Sequence, residues 1–318
     1  MRVLKDSDYK LLERLVSLTQ KELRNTMIQY LKSKYDNCIV TKDYIVAIGE
    51  IPIALVAHMD TVFKTPVSNL YYDRQKNVLW SPEGLGADDR AGVFAILKIL
   101  QAGYRPSVIF TTDEEKGGLG ANELGKIPCP IPNLKYLIEL DRRGINDCVF
   151  YDCYCPQFIQ YVESFGFFER YGSFSDISFL MEEWDICGVN LSIGYEDEHS
   201  YSETLHVDPM FDTIRKVIKM ISESDIPEFK YENLSKAPFG SWWRTDEIYG
   251  QHCSKCKNLF SEYELFPVKG LDGKRKFYCP DCIVGNVDWC NICQEAYEIA
   301  DPATTKEICE ECEKKRHV

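Results

Sequence analysis

Residues 53–60, IALVAHMD, place a histidine and an aspartate directly after an apolar run. Five consecutive aliphatic residues are typical of a strand that is buried on both faces. An earlier run, Tyr44 to Ile48, predicts a second strand, and Gly49-Glu50-Ile51-Pro52 predicts a hairpin or tight connection between the two. Further strands are predicted at Ser107 to Thr112, Tyr136 to Leu140 and Val189 to Ile193.

Segments with helical periodicity lie around and between these strands. A leucine-rich stripe predicts helix within residues 8–34, and similar spacing predicts helices at 91–100, 156–166 and 208–222. Strands that alternate with helices are typical of an α/β fold. We therefore predict a mostly parallel mixed sheet flanked by helices, with a small zinc-stabilised domain after it.

The chain of 318 residues is long enough for one large domain and a small one. The periodic pattern ends near residue 225, and cysteine pairs begin after residue 250. We therefore predict a large α/β domain over 1–235, a linker over 236–250 and a cysteine module over 251–318. Six scattered cysteines outside the module are predicted to be reduced, mostly buried side chains: Cys38, Cys129, Cys148, Cys153, Cys155 and Cys187.

Composition excludes several classes of protein. With 37 basic and 50 acidic residues, the net charge of -13 argues against nucleic-acid binding, which depends on Lys and Arg. The longest apolar stretch, near Ile51 to Met59, is far shorter than the roughly 20 residues of a membrane helix. The N-terminus has no apolar segment typical of a secretory signal, and we predict a cytoplasmic protein without a membrane partner.

Acidic residues and histidines stand where the predicted strands end. They are His58 and Asp60, Asp88 and Asp89, Asp113 to Glu115, Asp141, and His199. In open α/β sheets the carboxyl ends of the strands meet at one edge, where ligands bind. These side chains are therefore expected to lie close together.

Their residue types fit two zinc ions. Zinc binds histidine nitrogen and carboxylate oxygen, and two neighbouring ions need a bridging carboxylate. In an adjacent glutamate pair, one carboxylate can bind metal while the other accepts a proton from water. An aspartate two residues after a histidine can fix the tautomer of that histidine.

The motifs AHMDTV, GADDRAGV, TTDEE, the ending ELD and HSYSE resemble, in that order, those of the co-catalytic dinuclear zinc exopeptidases. This superfamily includes leucine aminopeptidases, tripeptide aminopeptidases, glutamate carboxypeptidases and acetylornithine-type deacylases. The resemblance covers roughly residues 40–225. It implies that His58 and Asp141 hold one zinc, that Glu115 and His199 hold the other, that Asp88 bridges them, that Glu114 is the general base and that Asp60 orients His58.

Three positions leave alternatives. Asp89 could bridge in place of Asp88, although the family pattern favours the first aspartate. His206 could replace His199, although His199 is part of the His-Ser-x-x-Glu run that matches the family. Asp176 either lies in the pocket, as in some relatives, or caps a short helix.

The chain departs from several branches of the superfamily. Many relatives insert a lid domain between the last aspartate ligand and the last histidine, but only 57 residues separate Asp141 from His199. Another branch inserts a domain after the first histidine, yet only 29 residues separate His58 from Asp88. The chain is most similar to the compact, lidless aminopeptidase branch, and local loops are expected to determine its selectivity.

Four CxxC pairs follow residue 250: Cys253 and Cys256, Cys279 and Cys282, Cys290 and Cys293, and Cys309 and Cys312. Eight thiols suit two structural zinc ions, each held by four sulfurs. Sequential pairing would give two zinc ribbons and is favoured, while alternate pairing would give a cross-brace. The module carries 10 basic and 12 acidic residues, which favours a protein partner or self-association over nucleic acid.

The leading hypothesis is a hydrolase of peptide or amide bonds with two catalytic zinc ions and two structural ones. Aminopeptidase activity is the favoured form of it. Cobalt or manganese could use the same catalytic ligands. One alternative is a small-molecule deacylase or carboxypeptidase on the same metal centre. The other is a non-catalytic interaction protein that depends on zinc.

Overall fold

The computed structural model describes residues 3–233, 251–260, 265–271, 274–284, 286–292, 296–299 and 312–313. The chain divides into two compact units, Met1–Ala237 and Pro238–Val318. The predicted linker, 236–250, lies outside the described residues, and so do Cys293 and Cys309.

An eight-stranded mixed sheet forms the centre of the first unit, with the strand order β1-β2-β6-β3-β7-β10-β8-β9. Its strands are β1 (Cys38–Val40), β2 (Tyr44–Ala47), β3 (Ile51–His58), β6 (Pro106–Thr111), β7 (Tyr136–Arg142), β8 (Asp147–Val149), β9 (Phe168–Glu169) and β10 (Gly188–Ser192). Strands β6, β3, β7 and β10 are parallel neighbours and almost wholly buried. The predicted α/β class with a mostly parallel sheet is confirmed.

Of the two forms predicted for the link between the first two apolar runs, the hairpin is wrong and the tight connection is right, because β2 ends at Ala47 and β3 begins at Ile51. Strand β6 lies between β2 and β3, pairing antiparallel with β2 and parallel with β3. At the turn, the N–H groups of Glu50 and Ile51 both donate to the carbonyl of Arg105, at 2.9 and 3.1 Å. Gly49 lies so close to Arg105 that a Cβ would stand 2.3 Å from its carbonyl oxygen. The connection therefore hydrogen-bonds to Arg105, directly before β6, and does not join two paired strands.

Helices flank the sheet: α1 (Asp6–Val16), α2 (Gln20–Lys32), α3 (Ala87–Gln101), α4 (Leu119–Gly125), α5 (Pro156–Glu163), α6 (Asp176–Trp184) and α7 (Val207–Ile221). The N-terminal leucine stripe forms two helices because a capping box starts a new one at Thr19. The Thr19 hydroxyl accepts from the N–H of Glu22, and the Glu22 carboxylate accepts from the N–H of Thr19.

A second, four-stranded sheet contains β4 (Tyr71–Asp73), β5 (Val78–Trp80), β11 (Tyr195–Glu196) and β12 (Thr204–His206), in the order β11-β12-β5-β4. It is wholly antiparallel. The loop from β11 to β12 carries His199, and α7 follows β12 directly. This small sheet therefore anchors both ends of the His199 loop.

In its described residues, the second unit contains short strands and a short helix. They are β13 (Gln251–His252), β14 (Leu259–Phe260), β15 (Phe266–Lys269), β16 (Arg275–Tyr278), β17 (Val287–Trp289), β18 (Ala296–Glu298) and α8 (Pro280–Ile283). Two of them pair as a hairpin, β13 with β14, and four form a sheet in the order β16-β15-β18-β17. Its buried clusters are small and include Cys253, Cys279 and Cys290.

Within the residues that the structure describes, every helix is too short or too polar to traverse a lipid bilayer.

Candidate metal centre

The sheet order brings three predicted motifs side by side. His58 is the last residue of β3, Asp141 lies near the end of the neighbouring β7, and a 3₁₀ turn, Glu114–Lys116, follows β6 on the other side of β3. Because the three strands are parallel, their carboxyl ends meet at one edge. The structure therefore brings His58, Asp141 and the glutamate pair together at this edge.

A first group of potential metal ligands consists of His58, Asp88 and Asp141, whose ligand atoms all lie within 4.8 Å of one another. The Nε2 atom of His58 is 3.0 Å from Oδ1 of Asp88 and 3.5 Å from Oδ1 of Asp141. His58 is fully buried. One nitrogen and two carboxylate oxygens form a donor set that zinc prefers.

A second group consists of Asp88, Glu115 and His199, again within 4.8 Å. The Nε2 atom of His199 is 3.1 Å from Oδ2 of Asp88 and 3.0 Å from Oε2 of Glu115. Asp88 thus directs one oxygen to each histidine and belongs to both groups. This sharing is the arrangement that a carboxylate bridge between two cations requires.

Asp89 and His206, the two alternatives, lie outside both groups. Asp89 is buried, and its Oδ1 accepts the N–H of Gly92 at 2.7 Å. His206 ends β12 and pairs through Nε2 with Glu196 at 3.3 Å. The geometry therefore favours Asp88 and His199 over these neighbours.

Asp60 connects the histidine to the glutamate pair. Its Oδ1 lies 3.3 Å from Nδ1 of His58, on the side of the ring away from Asp88. The same carboxylate accepts the backbone N–H groups of Glu114 and Glu115, at 3.0 and 3.1 Å. Asp60 therefore lies beside Nδ1 of His58 and fixes the backbone of the 3₁₀ turn.

Glu114 lies beside the two groups but belongs to neither. The residue is buried, with 8% of its surface exposed. Burial, together with the charges of Asp141, Asp176 and Asp88 and against that of His58, raises the pKa of Glu114 to about 9. A carboxyl whose pKa is shifted this far by burial and by neighbouring charges is suited to proton transfer.

Negative charge dominates the cluster. Burial and the nearby Asp88 raise the pKa of Asp141 to about 7, although His58 opposes the shift. Hydrogen bonding of the His199 ring to the carboxylates of Asp88 and Glu115, which accept, raises the pKa of His199 to about 11. The buried Oε1 atom of Glu115 has no hydrogen-bond partner in the described part of the chain. These features fit divalent cations, which would neutralise the carboxylates and give that oxygen a partner.

The sequence did not reveal the groups that hold Asp141. Its Oδ2 accepts from the Ser175 hydroxyl at 3.1 Å, its Oδ1 accepts from the Tyr195 hydroxyl at 3.0 Å, and its backbone N–H donates to Asn190. Ser175, not Asp176, is the N-cap of α6, so the capping alternative for Asp176 is wrong. Asp176 is fully buried and accepts from the Thr111 hydroxyl.

Two further buried carboxyls escaped the sequence reasoning. Glu203 is 1% exposed and accepts backbone N–H groups from Gly86 and Asp88. Glu139 is fully buried within β7, and both its carboxyl oxygens lack a hydrogen-bond partner among the described residues. A signal for Glu139 did exist, because an acidic residue interrupts the otherwise apolar run YLIEL.

In the second unit, Cys253, Cys256, Cys279 and Cys282 bring their sulfurs within 4.8 Å of one another. The N–H of Cys279 donates to the Cys253 sulfur at 3.4 Å. Although burial opposes it, donation from the N–H groups of Cys279, Cys256 and Lys255 lowers the pKa of Cys253 to about 6. A thiol that ionises so readily is suited to a metal.

The other predicted thiol group is only partly described. Cys290 is buried against Tyr297, and Cys312 packs against the same cluster. Cys312 of the fourth CxxC pair therefore lies against the cluster that contains Cys290 of the third pair. The first two pairs form the four-sulfur group. Both observations agree with sequential pairing, while Cys293 and Cys309 lie outside the described residues.

No protein-family model matches the chain, and no curated protein matches it. Solved structures do match. A tripeptidase from Staphylococcus aureus has a TM-score of 0.52 at 15% identity, over 67% of this chain and 96% of that chain. Aminopeptidase PepT from Bacillus cereus has a TM-score of 0.50 at 14% identity, over 67% of this chain and 97% of that chain.

A TET aminopeptidase from a marine-sediment thaumarchaeote has a TM-score of 0.54 at 14% identity, over 70% of this chain and 98% of that chain. Identities this low establish the fold alone. The chain shares its fold with these peptidases, and the α/β fold that the resemblance implies is confirmed.

Proposed function

We propose that this chain is a dinuclear zinc-dependent hydrolase of peptide bonds, with aminopeptidase activity. One observation carries the proposal: Asp88 directs its two oxygens to His58 and His199, and each histidine has a further carboxylate beside it. Glu114, which belongs to neither ligand group, lies next to them. The fold that the chain shares with a tripeptidase and two aminopeptidases supports this choice of reaction.

His58, Asp88 and Asp141 would hold one ion, and Asp88, Glu115 and His199 the other. Zinc at these positions supplies Lewis acidity, which polarises a substrate carbonyl and makes water a better nucleophile. His58 can ligate through Nε2 because Asp60 faces its Nδ1 atom. The Ser175 and Tyr195 hydroxyls donate to the Asp141 carboxylate and fix its orientation. This ligand would therefore lose little conformational freedom on binding an ion.

Glu114 acts as the general base and then as the general acid. Its burial keeps bulk water away from the carboxylate, and its backbone is fixed by the hydrogen bond to Asp60. In hydrolysis it accepts a proton from the attacking water and returns it to the leaving nitrogen. Because cations oppose the negative neighbours that raise the pKa of Glu114, the loaded site favours its ionised form.

The cysteine module would bind two structural zinc ions. The four sulfurs of Cys253, Cys256, Cys279 and Cys282 support the first, and the packing of Cys312 against the cluster of Cys290 and Tyr297 supports the second. The module would serve self-association or a protein partner. A cytoplasmic location stays a prediction.

A matched substrate panel tests the proposal. Purified chain is dialysed against chelator, reloaded with zinc, cobalt or manganese, and assayed with a free tripeptide, its N-acetylated form and its C-amidated form. An aminopeptidase cleaves the free and C-amidated peptides, releases the first residue and leaves the acetylated one intact.

Other outcomes identify other functions. Release of acetate from the blocked peptide would show a deacylase, and cleavage only beside a free carboxylate would show a carboxypeptidase. If none of the three peptides is cleaved in a metal-dependent way, the chain is not a peptidase and a non-catalytic protein is favoured. The variant Glu114→Gln is the control for contaminating peptidases. Its own turnover of the three peptides should be strongly reduced, so activity that persists at the wild-type level comes from a contaminant or excludes Glu114 as the base.

A further inference from the structure

The start of helix α2 lies against the turn that carries Glu114. Gln20, the first residue of the helix, accepts the backbone N–H of Asp113 through its side-chain oxygen at 3.0 Å. Its amide nitrogen donates to Oδ1 of the same aspartate at 3.2 Å, across 93 positions of the chain. One glutamine side chain therefore holds both the backbone and the carboxylate of the residue directly before the candidate base.

Asp113 has a backbone conformation that needs such support. Its φ of 56° and ψ of 40° place it in the left-handed region, which is uncommon for residues other than glycine. A residue keeps such a conformation only where the surrounding structure holds it there. The 3₁₀ turn Glu114–Lys116 starts at the next residue, so a change of φ or ψ at Asp113 would redirect the side chain of Glu114.

The neighbouring contacts of the turn do not replace Gln20. Asp60 accepts the backbone N–H groups of the two residues that follow Asp113. Lys116 pairs with the Asp113 carboxylate at 2.6 Å, but its side chain is 68% exposed, and exposed ion pairs contribute little stability. Of these contacts, only the one with Gln20 reaches the backbone N–H of Asp113.

We propose that Gln20 is a positioning residue for Glu114: its amide fixes the conformation of Asp113 and thereby the direction of the candidate base. The inference rests on the proposed function and adds a residue to it. A displaced base loses much of its effect, so Gln20→Ala should lower kcat about 10- to 100-fold. Zinc content should stay at the wild-type level, because Asp60 still holds the backbone of Glu115.

An exchange of the two partners separates positioning from direct contact with the substrate. The assay uses the zinc-loaded full chain and the peptide that the wild type cleaves fastest. Gln20→Glu sets a second carboxylate against that of Asp113 and should lower kcat. Addition of Asp113→Asn restores a donor opposite that carboxylate, and the backbone N–H at position 113 keeps its acceptor. The double variant should therefore exceed Gln20→Glu in kcat and match Asp113→Asn alone.

Hydrogen exchange gives a readout that does not depend on activity. Gln20→Ala should speed exchange in the peptide that covers residues 112–119, because the N–H of Asp113 loses its acceptor. Gln29→Ala is the matched control, since Gln29 is an exposed glutamine on the same helix. It should leave both exchange and kcat unchanged.

The outcomes separate this inference from the proposed function. With an active wild type, unchanged kcat or unchanged exchange in Gln20→Ala would overturn the positioning role and leave the peptidase standing. A double variant as slow as Gln20→Glu would do the same. A wild type without peptidase activity would overturn the proposed function and, with it, the positioning of a base.

Discussion

The carboxylate of Glu203 accepts the backbone N–H of Asp88 at 2.9 Å, although 115 positions separate the two residues. Its other oxygen accepts the N–H of Gly86 at 2.6 Å. Glu203 lies in the same loop as His199, which faces the side chain of Asp88. The loop that supplies a candidate ligand to one ion therefore also fixes the backbone that supplies the shared ligand.

Replacing Glu203 should weaken metal binding without unfolding the protein. Glu203→Gln keeps the side-chain volume and one acceptor oxygen. Its amide NH₂ group, however, would face the backbone N–H of Gly86 or Asp88, and two donors cannot form a hydrogen bond. Loss of such a supporting contact typically lowers metal affinity about 10- to 100-fold. Competition with a chromophoric chelator would measure this change.

Glu123→Gln is the matched control for that experiment, since Glu123 is an exposed glutamate on α4 paired only with Lys126 in the described structure. It should bind zinc as the wild type does. Equal zinc affinity in the Glu203 and Glu123 variants would show that the contact with Asp88 does not position the ligand.

Glu114→Gln should separate catalysis from metal binding. The amide cannot accept a proton from water, while the backbone hydrogen bond to Asp60 does not involve the side chain. We expect kcat to fall by about two or more orders of magnitude, with zinc content unchanged. Steady-state assays and metal analysis on the same preparation check both parts. Wild-type turnover in the variant would exclude Glu114 as the base.

The adjacent aspartates make a matched pair. Asp88→Asn replaces one of two oxygens that face different histidines with an amide nitrogen, which cannot ligate zinc. In Asp89→Asn the amide oxygen can still accept the N–H of Gly92. We therefore expect Asp88→Asn to lose catalytic zinc and activity and Asp89→Asn to keep zinc. The opposite result would transfer the bridge to Asp89.

Much of this site was predictable from the chain alone. His58, Glu114 and Asp141 each stand at the end of an apolar run, and parallel strands bring such ends to one edge. Those predictions needed only local patterns and one rule of sheet architecture. The likeness of the motifs to those of a known superfamily supplied the choice between neighbours, such as Asp88 and Asp89.

Features that depend on long-range contacts were not predictable. The Gly49 to Pro52 turn looked like a hairpin because its local chemistry suits one, but β6 lies between the two strands. Glu203 reaches Asp88 from a distant part of the sequence, and no local spacing indicates that contact.

The two histidines of the last loop offer a further comparison. His199 faces Asp88 and Glu115, whereas His206 pairs with Glu196. His199→Ala should lose about one zinc per chain and nearly all activity, because three candidate ligands of the other ion remain. His206→Ala should retain the wild-type zinc content. Metal analysis after dialysis measures both, and loss of zinc from the His206 variant alone would contradict the assignment.

The cysteine module should depend on zinc for its folding. Among the described residues, its buried clusters contain only a few members each, and a core of that size needs metal to be stable. Cys279→Ser removes one sulfur of the four-thiol group and should release about one zinc per chain and open the module to proteolysis. Mass spectrometry of the full chain after brief protease treatment would locate the cuts after residue 250. Cys129→Ser is the control, because Cys129 lies in the first unit and its thiol donates to the carbonyl of Ile131. If Cys279→Ser kept its zinc and its resistance to protease, the four sulfurs would not form a structural metal site.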